Sequence, residues 1–349
     1  MTAVVPKIDV SMKKAPKVIN PGMASKIAVI GAFDTTRTDV VYCESLSEAY
    51  TELGNDTTTY KGCSCLDKLF LGASSIIAAN ITTESSGTRS TTLTTTNLTD
   101  ALAKIEGEEF DMLFIAEDME DAAITIVKTF LESTFEMKFP SGYVLGVTRA
   151  NKAAYLTTAG KVGDFCYGMI TQQFTVDSTQ LSIVDSAAYY CGLLATMNVS
   201  RSMTMKTIDG VTAVSPELTF VTGSDGLALL QAGVTTVKCQ DRLNKRFVVV
   251  NSEQPNGYDL YINRVRDYVV RQFSLHQFLG EKNRQATLNE IEQELDRVKD
   301  SCVNSLDLLE DIEFHVEKKN TNCVDINITK LLFSGIITEI NVYITVEVE

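Results

Sequence analysis

The sequence FDMLFI at residues 110–115 decides the class of fold, together with the segments on either side of it. Apart from Asp111 the run is apolar, which is typical of a short buried strand. Before it, the spacing of Leu98, Leu102 and Ile105 predicts a helix starting from Asn97, and a second helix is predicted through 122–127. The run YVLGV at 143–147 predicts the next strand. Strand and helix therefore alternate, which favours an α/β domain with a partly parallel sheet.

Upstream, KIAVIG at 26–31 predicts another buried strand, which ends in glycine as the first strand of a nucleotide-binding unit does. The following residues, AFDTT, contain no further glycine. Neither a G-x-G-x-x-G motif nor a Walker A loop is present, so no phosphate-binding loop is predicted. The threonine-rich stretch at 81–100 predicts an exposed hairpin or loop, because β-branched threonine favours extended backbone.

The composition changes near residue 236. KRFVVV at 245–250 predicts a strand, Asn256-Gly257 a turn, and Tyr258 to about Leu279 a helix, followed by a second helix from about Arg284 to Asp300. The economical arrangement is two helices on a small sheet. Strands with period-two alternation then follow, with their apolar residues at Val324, Ile326 and Ile328 and at Ile340, Val342, Ile344, Val346 and Val348.

Both termini look extended. Residues 1–22 hold three of the six prolines, which block helix formation but allow pairing along a sheet edge, and their apolar residues include Val4, Val5, Ile8 and Val10. A frayed terminus is the alternative. Residues 336–349 could span about 45 Å at ~3.3 Å per residue, enough to leave their own domain.

Catalytic and ligand-binding patterns are sparse. The net charge of −14 argues against general affinity for nucleic acid or anionic membrane, and no apolar run is long enough to span a bilayer. His276 and His315 are the two histidines, and no G-x-S-x-G or H-E-x-x-H motif occurs. The acidic residues of 117–121 fit a helix N-terminus better than a metal site. The eight cysteines are expected to be reduced and mostly buried. No enzyme, cofactor or metal is therefore predicted.

Basic residues concentrate in the C-terminal part of this acidic chain, which could give a positive face suited to an acidic partner. A solvated surface with helical ion pairs is the alternative. The residues are Lys238, Arg242, Lys245, Arg246, Arg264, Arg266, Arg271, Lys282 and Arg284.

An ordered series of segments resembles the tail sheath family of contractile phages, R-type bacteriocins and related injection systems. The segments are LALLQAG at 227–233, VVVNS at 248–252, INRVRDYV at 262–269, FLGEKN at 278–283 and IITEINV at 336–342. Glu281 departs from the family's usual loop. The likeness is looser but collinear upstream, over Val4-Val5-Pro6, 27–31 and 110–116.

The resemblance implies a subtilisin-like α/β domain at 23–235 that lacks catalytic residues, and a small α+β assembly domain at 236–335. An N-terminal arm at 1–22 and a C-terminal arm strand at 336–349 would flank them. No histidine precedes residue 276, so a Ser-His-Asp triad cannot form within the first domain.

The function implied is that of a structural subunit, assembled in a cytoplasm, that polymerises as stacked rings around an inner tail tube and contracts. Baseplate and tail terminator proteins would be further partners, in a phage tail or tail-like particle. The predicted strand-exchange residues are Val4, Val5, Ile8, Val10, Val324, Ile326, Ile328, Ile340, Val342, Ile344, Val346 and Val348, and the tube-facing candidates are Arg264, Arg271, Lys282 and Arg284. Another self-assembling tail or baseplate component, or a degenerate hydrolase, is the alternative.

Overall fold

A computed structural model describes residues 25–85, 88–136, 140–272, 278, 281–320 and 323–333. The two predicted arms lie outside these ranges. In chain order the first elements are β1 (Ser25–Gly31), β2 (Val41–Cys43), α1 (Leu46–Leu53), α2 (Lys61–Leu69), β3 (Ala73–Asn80), β4 (Thr83–Ser85), β5 (Thr88–Ser90), α3 (Thr95–Ile105), β6 (Met112–Ile115), α4 (Asp121–Glu136), β7 (Gly142–Gly146), α5 (Lys152–Ala159) and β8 (Cys166–Ile170).

The remaining elements are β9 (Gln173–Val176), β10 (Thr179–Gln180), α6 (Ile183–Thr196), β11 (Val211–Ser215), α7 (Asp225–Gln231), β12 (Val237–Asp241), β13 (Arg246–Val249), α8 (Leu260–Gln272), α9 (Gln285–Asp300), β14 (Asp311–Asn320) and β15 (Cys323–Leu332). A π-helical turn at Ser301–Ser305 continues α9. None of the helices in the described ranges has the length and apolar content that a membrane span requires.

A six-stranded sheet in the order β2-β3-β1-β6-β7-β8 forms the centre of the fold. Its strands are parallel except β2, which runs antiparallel to β3 at the edge. The register places Ile27 beside Ile76 on one side and Met112 on the other. The predicted α/β class is therefore confirmed, whereas the subtilisin-like topology stays a prediction.

The strand β1 shows why its sequence is a continuous apolar run. Ile27, Ala28, Val29 and Ile30 are all fully buried, as expected when both faces of a parallel sheet are covered. The helices α2 and α3 both contact β1, and they pack against α6 and α4 respectively. Gly192 of α6 allows the α2–α6 contact, because a Cβ there would lie 2.0 Å from the carbonyl oxygen of Lys68.

The threonine-rich stretch forms the short antiparallel hairpin of β4 and β5, followed by α3. The helix starts at Thr95, two residues before the predicted start at Asn97. Thr94 is the actual N-cap, and Asn97 is its partner in a capping box: the Thr94 hydroxyl accepts the amide of Asn97 at 3.2 Å, and the Asn97 side chain accepts the amide of Thr94 at 2.7 Å.

The boundary between the two hydrophobic cores lies further along the chain than the change in composition. The main core runs from Ile27 to Leu260 and includes Val237, Phe247 and Val249 of the β12–β13 hairpin. A second cluster begins at Tyr261 and joins α8 to the end of α9 and the start of β14. The change of core therefore falls near residue 260, whereas the composition changes near residue 236.

Candidate assembly site

The β14–β15 hairpin is the first candidate, because its backbone edges are open. The two ten-residue strands pair antiparallel, from Asp311 opposite Leu332 to Asn320 opposite Cys323. No other strand in the described part of the chain pairs with either of them. An open edge presents unpaired N–H and C=O groups that a further strand can satisfy.

One face of this hairpin is supported by α9. Phe314, Val316, Val324 and Ile326 pack against the helix residues Leu288, Ile291 and Leu295. The alternate residues of β14, including Glu313, His315 and Glu317, point away from α9, and all three are exposed. Because α9 packs on one face of the hairpin, the hairpin is held in place while its edges remain open to an added strand.

An ion-pair cluster ties the base of the hairpin to α9. The Asp311 carboxylate contacts Lys299 of α9 at 2.9 Å and Lys330 of β15 at 3.1 Å. Hydrogen bonds from Lys299 and Lys330 lower the pKa of Asp311 from 3.8 to about 2. The pairs are solvent-accessible, so their value is mainly positional.

The predicted exchange residues of β15 contribute their side chains to the chain's own core. Val324 and Ile326 pack on α9, while Ile328 packs in the second cluster with α8. The apolar side chains of β15 are therefore engaged within the chain, and an added strand would pair through the backbone edges. The remaining predicted exchange residues lie in the arms, outside the described residues.

The helix α8 joins the hairpin region to the α/β core through buried charges. Asp267 is fully buried, and it accepts a hydrogen bond from the Tyr167 hydroxyl of β8 at 2.7 Å. Arg266 contacts the second carboxylate oxygen of Asp267 at 2.7 Å and lies over the rings of Phe135 and Phe165. Burial, followed by the Asp267 charge, raises the pKa of Tyr167, which keeps the hydroxyl protonated as a donor.

Arg264 and Arg271 extend this network along the same helix. Arg264 is 4% exposed, and its guanidinium donates to the carbonyls of Leu194 and Met197, both at 3.1 Å. These carbonyls end α6, where a positive charge is favoured by the helix dipole. Arg271 pairs with Asp111, just before β6. We call the contacts of Tyr167, Asp267, Arg264, Arg271 and Asp111 the α8 seam.

The α8 seam changes the list of tube-facing candidates. Arg264 lies in the interior of the chain, and Arg271 is engaged with Asp111. Both charges were placed on the surface by sequence reasoning, because their buried partners are distant in the sequence. Lys282 and Arg284, between α8 and α9, are exposed.

The acidic residues after β6 bind side-chain cations and backbone amides of this chain. Glu117 pairs with Lys61, Asp118 accepts the amide of Thr148 at 3.1 Å, and Asp121 contacts Arg149 at 3.2 Å and Lys161 at 2.7 Å. Asp121 is in the first turn of α4, as the helix-terminus interpretation predicted. Within the described ranges, no group of three or more possible ligands is arranged to hold a metal.

The described cysteine side chains are free thiols rather than disulfides, and they are mostly buried. Burial raises the pKa of Cys166 and of Cys191 to about 12. Of the two histidines, His276 lies outside the described residues and His315 is exposed on β14, 3.8 Å from Glu317. Neither set forms a catalytic arrangement in the part of the chain that the structure describes.

Two parts of the site were missed from the sequence. One is β14, although Ile312, Phe314 and Val316 alternate there with polar residues, and this signal could have been found. The other is the pair of Tyr167 and Asp267, which are 100 residues apart. No local pattern connects them.

The sequence was compared with protein-family models and with curated proteins. A family model described as the phage tail sheath protein central domain matches residues 91–251. No curated protein matches the sequence.

Solved structures are similar over nearly the whole chain. A sheath tail protein from Desulfitobacterium hafniense is 13% identical with a TM-score of 0.68, and the match covers 94% of this chain and 99% of that one. For a sheath tail protein from Listeria innocua the identity is 13% and the TM-score 0.66, with 90% and 94% covered.

The helical sheath of the anti-feeding prophage in its contracted state is 15% identical with a TM-score of 0.68, and 99% of each chain is covered. At these identities the structures establish a shared fold, and the family match at residues 91–251 adds the sequence relationship. The resemblance predicted from the sequence is thereby confirmed: residues 91–251 match the phage tail sheath central domain, and the chain shares its fold with tail sheath proteins.

Proposed function

We propose that this chain is the structural subunit of a contractile tail sheath, which polymerises as helical rings around an inner tube. The observation that carries the proposal is the β14–β15 hairpin, whose open edges are backed by α9, in a chain with a sheath central domain. Satisfying such edges with strands from other copies is β-augmentation.

The two arms are the proposed donors of those strands. Within residues 336–349, every second position from Ile340 to Val348 is apolar, which suits a strand that buries one face. Residues 1–22 carry prolines, which are tolerated on an edge strand. The arms of one subunit would then pair with the hairpins of its neighbours.

Contraction in this proposal is a rigid-body rearrangement of subunits, with the exchanged strands as tethers. The α8 seam supports rigidity, because α8 is fixed to the α/β core by the buried Tyr167–Asp267 hydrogen bond, by the bonds of Arg264 to the end of α6 and by the Arg271–Asp111 ion pair. No catalytic step is required. Lys282 and Arg284 are the residues that we propose to face the tube, and baseplate and terminator proteins would complete the particle assembled in the producing cell.

The test is electron microscopy of purified protein carrying Ile344→Pro. Proline removes the backbone N–H that an added strand needs, so we expect folded subunits that no longer form helical tubes. Ile344→Val is the matched control, because it keeps β propensity and the N–H, and it should form tubes like the unaltered protein.

Tubes of normal order from Ile344→Pro, or from protein lacking residues 336–349, would contradict strand exchange through the C-terminal arm. A baseplate component is the second candidate. It is favoured by the similarity to the anti-feeding prophage baseplate structure, with a TM-score of 0.68, 13% identity and 99% and 100% of the two chains covered. Short rings without extended tubes would support that alternative.

A further inference from the structure

The turn between β12 and β13 carries a leucine whose side chain is almost fully exposed to solvent. Leu243 is 95% exposed, the highest value among the exposed large apolar residues of the described chain. It is held in place by Asp241, whose carboxylate accepts the amides of Leu243 at 2.9 Å and Asn244 at 3.2 Å and the side-chain amide of Asn244 at 2.6 Å. The turn is therefore ordered by its own hydrogen bonds.

The hairpin beneath this turn is anchored in the main core. Val237, Phe247 and Val249 are buried there, and the Arg246 side chain donates to the Thr207 hydroxyl at 3.0 Å. Leu243 thus projects from a rigid base. An apolar anchor that is already ordered loses little conformational entropy when a partner covers it.

The turn is also locally basic. Lys238, Arg242, Lys245 and Arg246 lie within nine residues that contain one acidic residue, Asp241, and Arg242 pairs with Glu217 at 3.0 Å. The whole chain carries a net charge of −14. Another copy of this chain is therefore an electrostatically complementary partner for the turn.

The described surface contains an acidic region suited to such a contact. Tyr42 on the edge strand β2 is 55% exposed, and its hydroxyl donates to Glu108 at 2.6 Å. Glu44, Glu106 and Glu109 are exposed in the same two segments. Because this region and the β12–β13 turn are different surfaces, their contact would be heterologous, the type that builds rings and helices.

We propose that the β12–β13 turn is a self-association knob, in which Leu243 is covered by an acidic-rimmed apolar surface of a second copy and Arg242 and Lys245 provide charge attraction. This inference rests on the proposed function and adds a contact to it that is independent of the arms. It needs no change in either arm, so the two kinds of contact can be separated experimentally.

The first test compares Leu243→Ser with Val221→Ser in the full chain. Val221 is 65% exposed on another loop, so it is a matched control for losing an exposed apolar side chain. Sedimentation and electron microscopy would measure the concentration at which half of the protein assembles. We expect Leu243→Ser to raise it about tenfold, a modest effect for an interface anchor, with Leu243→Met close to unaltered protein and Val221→Ser unchanged.

The second test identifies the partner. A photoreactive amino acid at position 243 should cross-link to a second copy at an acidic segment, and Arg242→Glu with Lys245→Glu should weaken assembly more at low than at high salt. Cross-linking to a non-acidic surface, or equal assembly by Leu243→Ser and unaltered protein, overturns the knob alone. Failure of the unaltered protein to assemble refutes the proposed function and the knob with it.

Discussion

Replacing Tyr167 with phenylalanine should measure the strength of the α8 seam. The change removes one hydroxyl, which donates at 2.7 Å to a carboxylate that is fully buried. A hydrogen bond to a charged group contributes about 1.5–3 kcal/mol. Because Asp267 keeps its contact with Arg266, we expect the free energy of unfolding to fall by about 2 kcal/mol, within the range for such bonds.

The control is Tyr42→Phe, because the Tyr42 hydroxyl also donates to a carboxylate, that of Glu108, at 2.6 Å. Tyr42 is 55% exposed, so water can replace the lost partner and the expected loss is below about 0.5 kcal/mol. The chain has no tryptophan, so urea unfolding of unassembled protein would be followed by far-ultraviolet circular dichroism.

A larger effect is expected for Asp267→Ala, which leaves both Tyr167 and Arg266 without their partner and should cost about 3–5 kcal/mol. Equal losses in Tyr167→Phe and Tyr42→Phe would refute the reasoning, because burial would then make no difference to the bond. So would an unchanged urea midpoint in Tyr167→Phe.

Three further outcomes follow from the structure. The stabilisation by Asp311 should be complete above its ordinary pKa of 3.8 and lost as pH falls through about 2, so the difference in urea midpoint between unaltered protein and Asp311→Asn should vanish over that window. Gly192→Ala should lower the free energy of unfolding by about 1–3 kcal/mol through overpacking, because the new Cβ would overlap the Lys68 carbonyl oxygen. Thermal unfolding would detect this loss, and an unchanged melting midpoint would contradict it. Burial raises the pKa of the Cys166 and Cys191 thiols to about 12, so a thiol reagent should modify them only after unfolding, whereas mass spectrometry showing fast modification in folded protein would contradict the packing.

The central sheet could be predicted from the sequence because its strands are buried on both faces. Residues 26–31 and 110–115 are almost continuously apolar, and such runs between helices indicate parallel strands without knowledge of the partners. The apolar pattern does not fix the residue at which a helix begins. The start of α3 depends on which of several threonines caps it, and only the hydrogen bonds of Thr94 decide this.

The α8 seam could not be predicted because charged residues normally lie on the surface. Arg264, Asp267 and Arg271 are spaced along one side of α8, and a solvated face is the ordinary interpretation of that pattern. Asp267 and Arg271 bond to Tyr167 and Asp111, which are 100 and 160 residues away, and Arg264 bonds to carbonyls of α6. Only the folded chain brings these groups together.

Asp111 has a mechanical consequence for the proposed sheath. Its backbone amide donates to the Lys26 carbonyl and its carboxylate accepts the Lys26 amide, both at 2.8 Å, while Arg271 of α8 holds the other carboxylate oxygen. A force that pulls on the chain before β1 would therefore act along β1 and its parallel neighbour β6. Through the Asp111 side chain, the same force would reach α8, which packs beside the β14–β15 hairpin. Asp111 would thereby transmit tension from the N-terminal end of β1 to the region that we propose to bind neighbouring subunits.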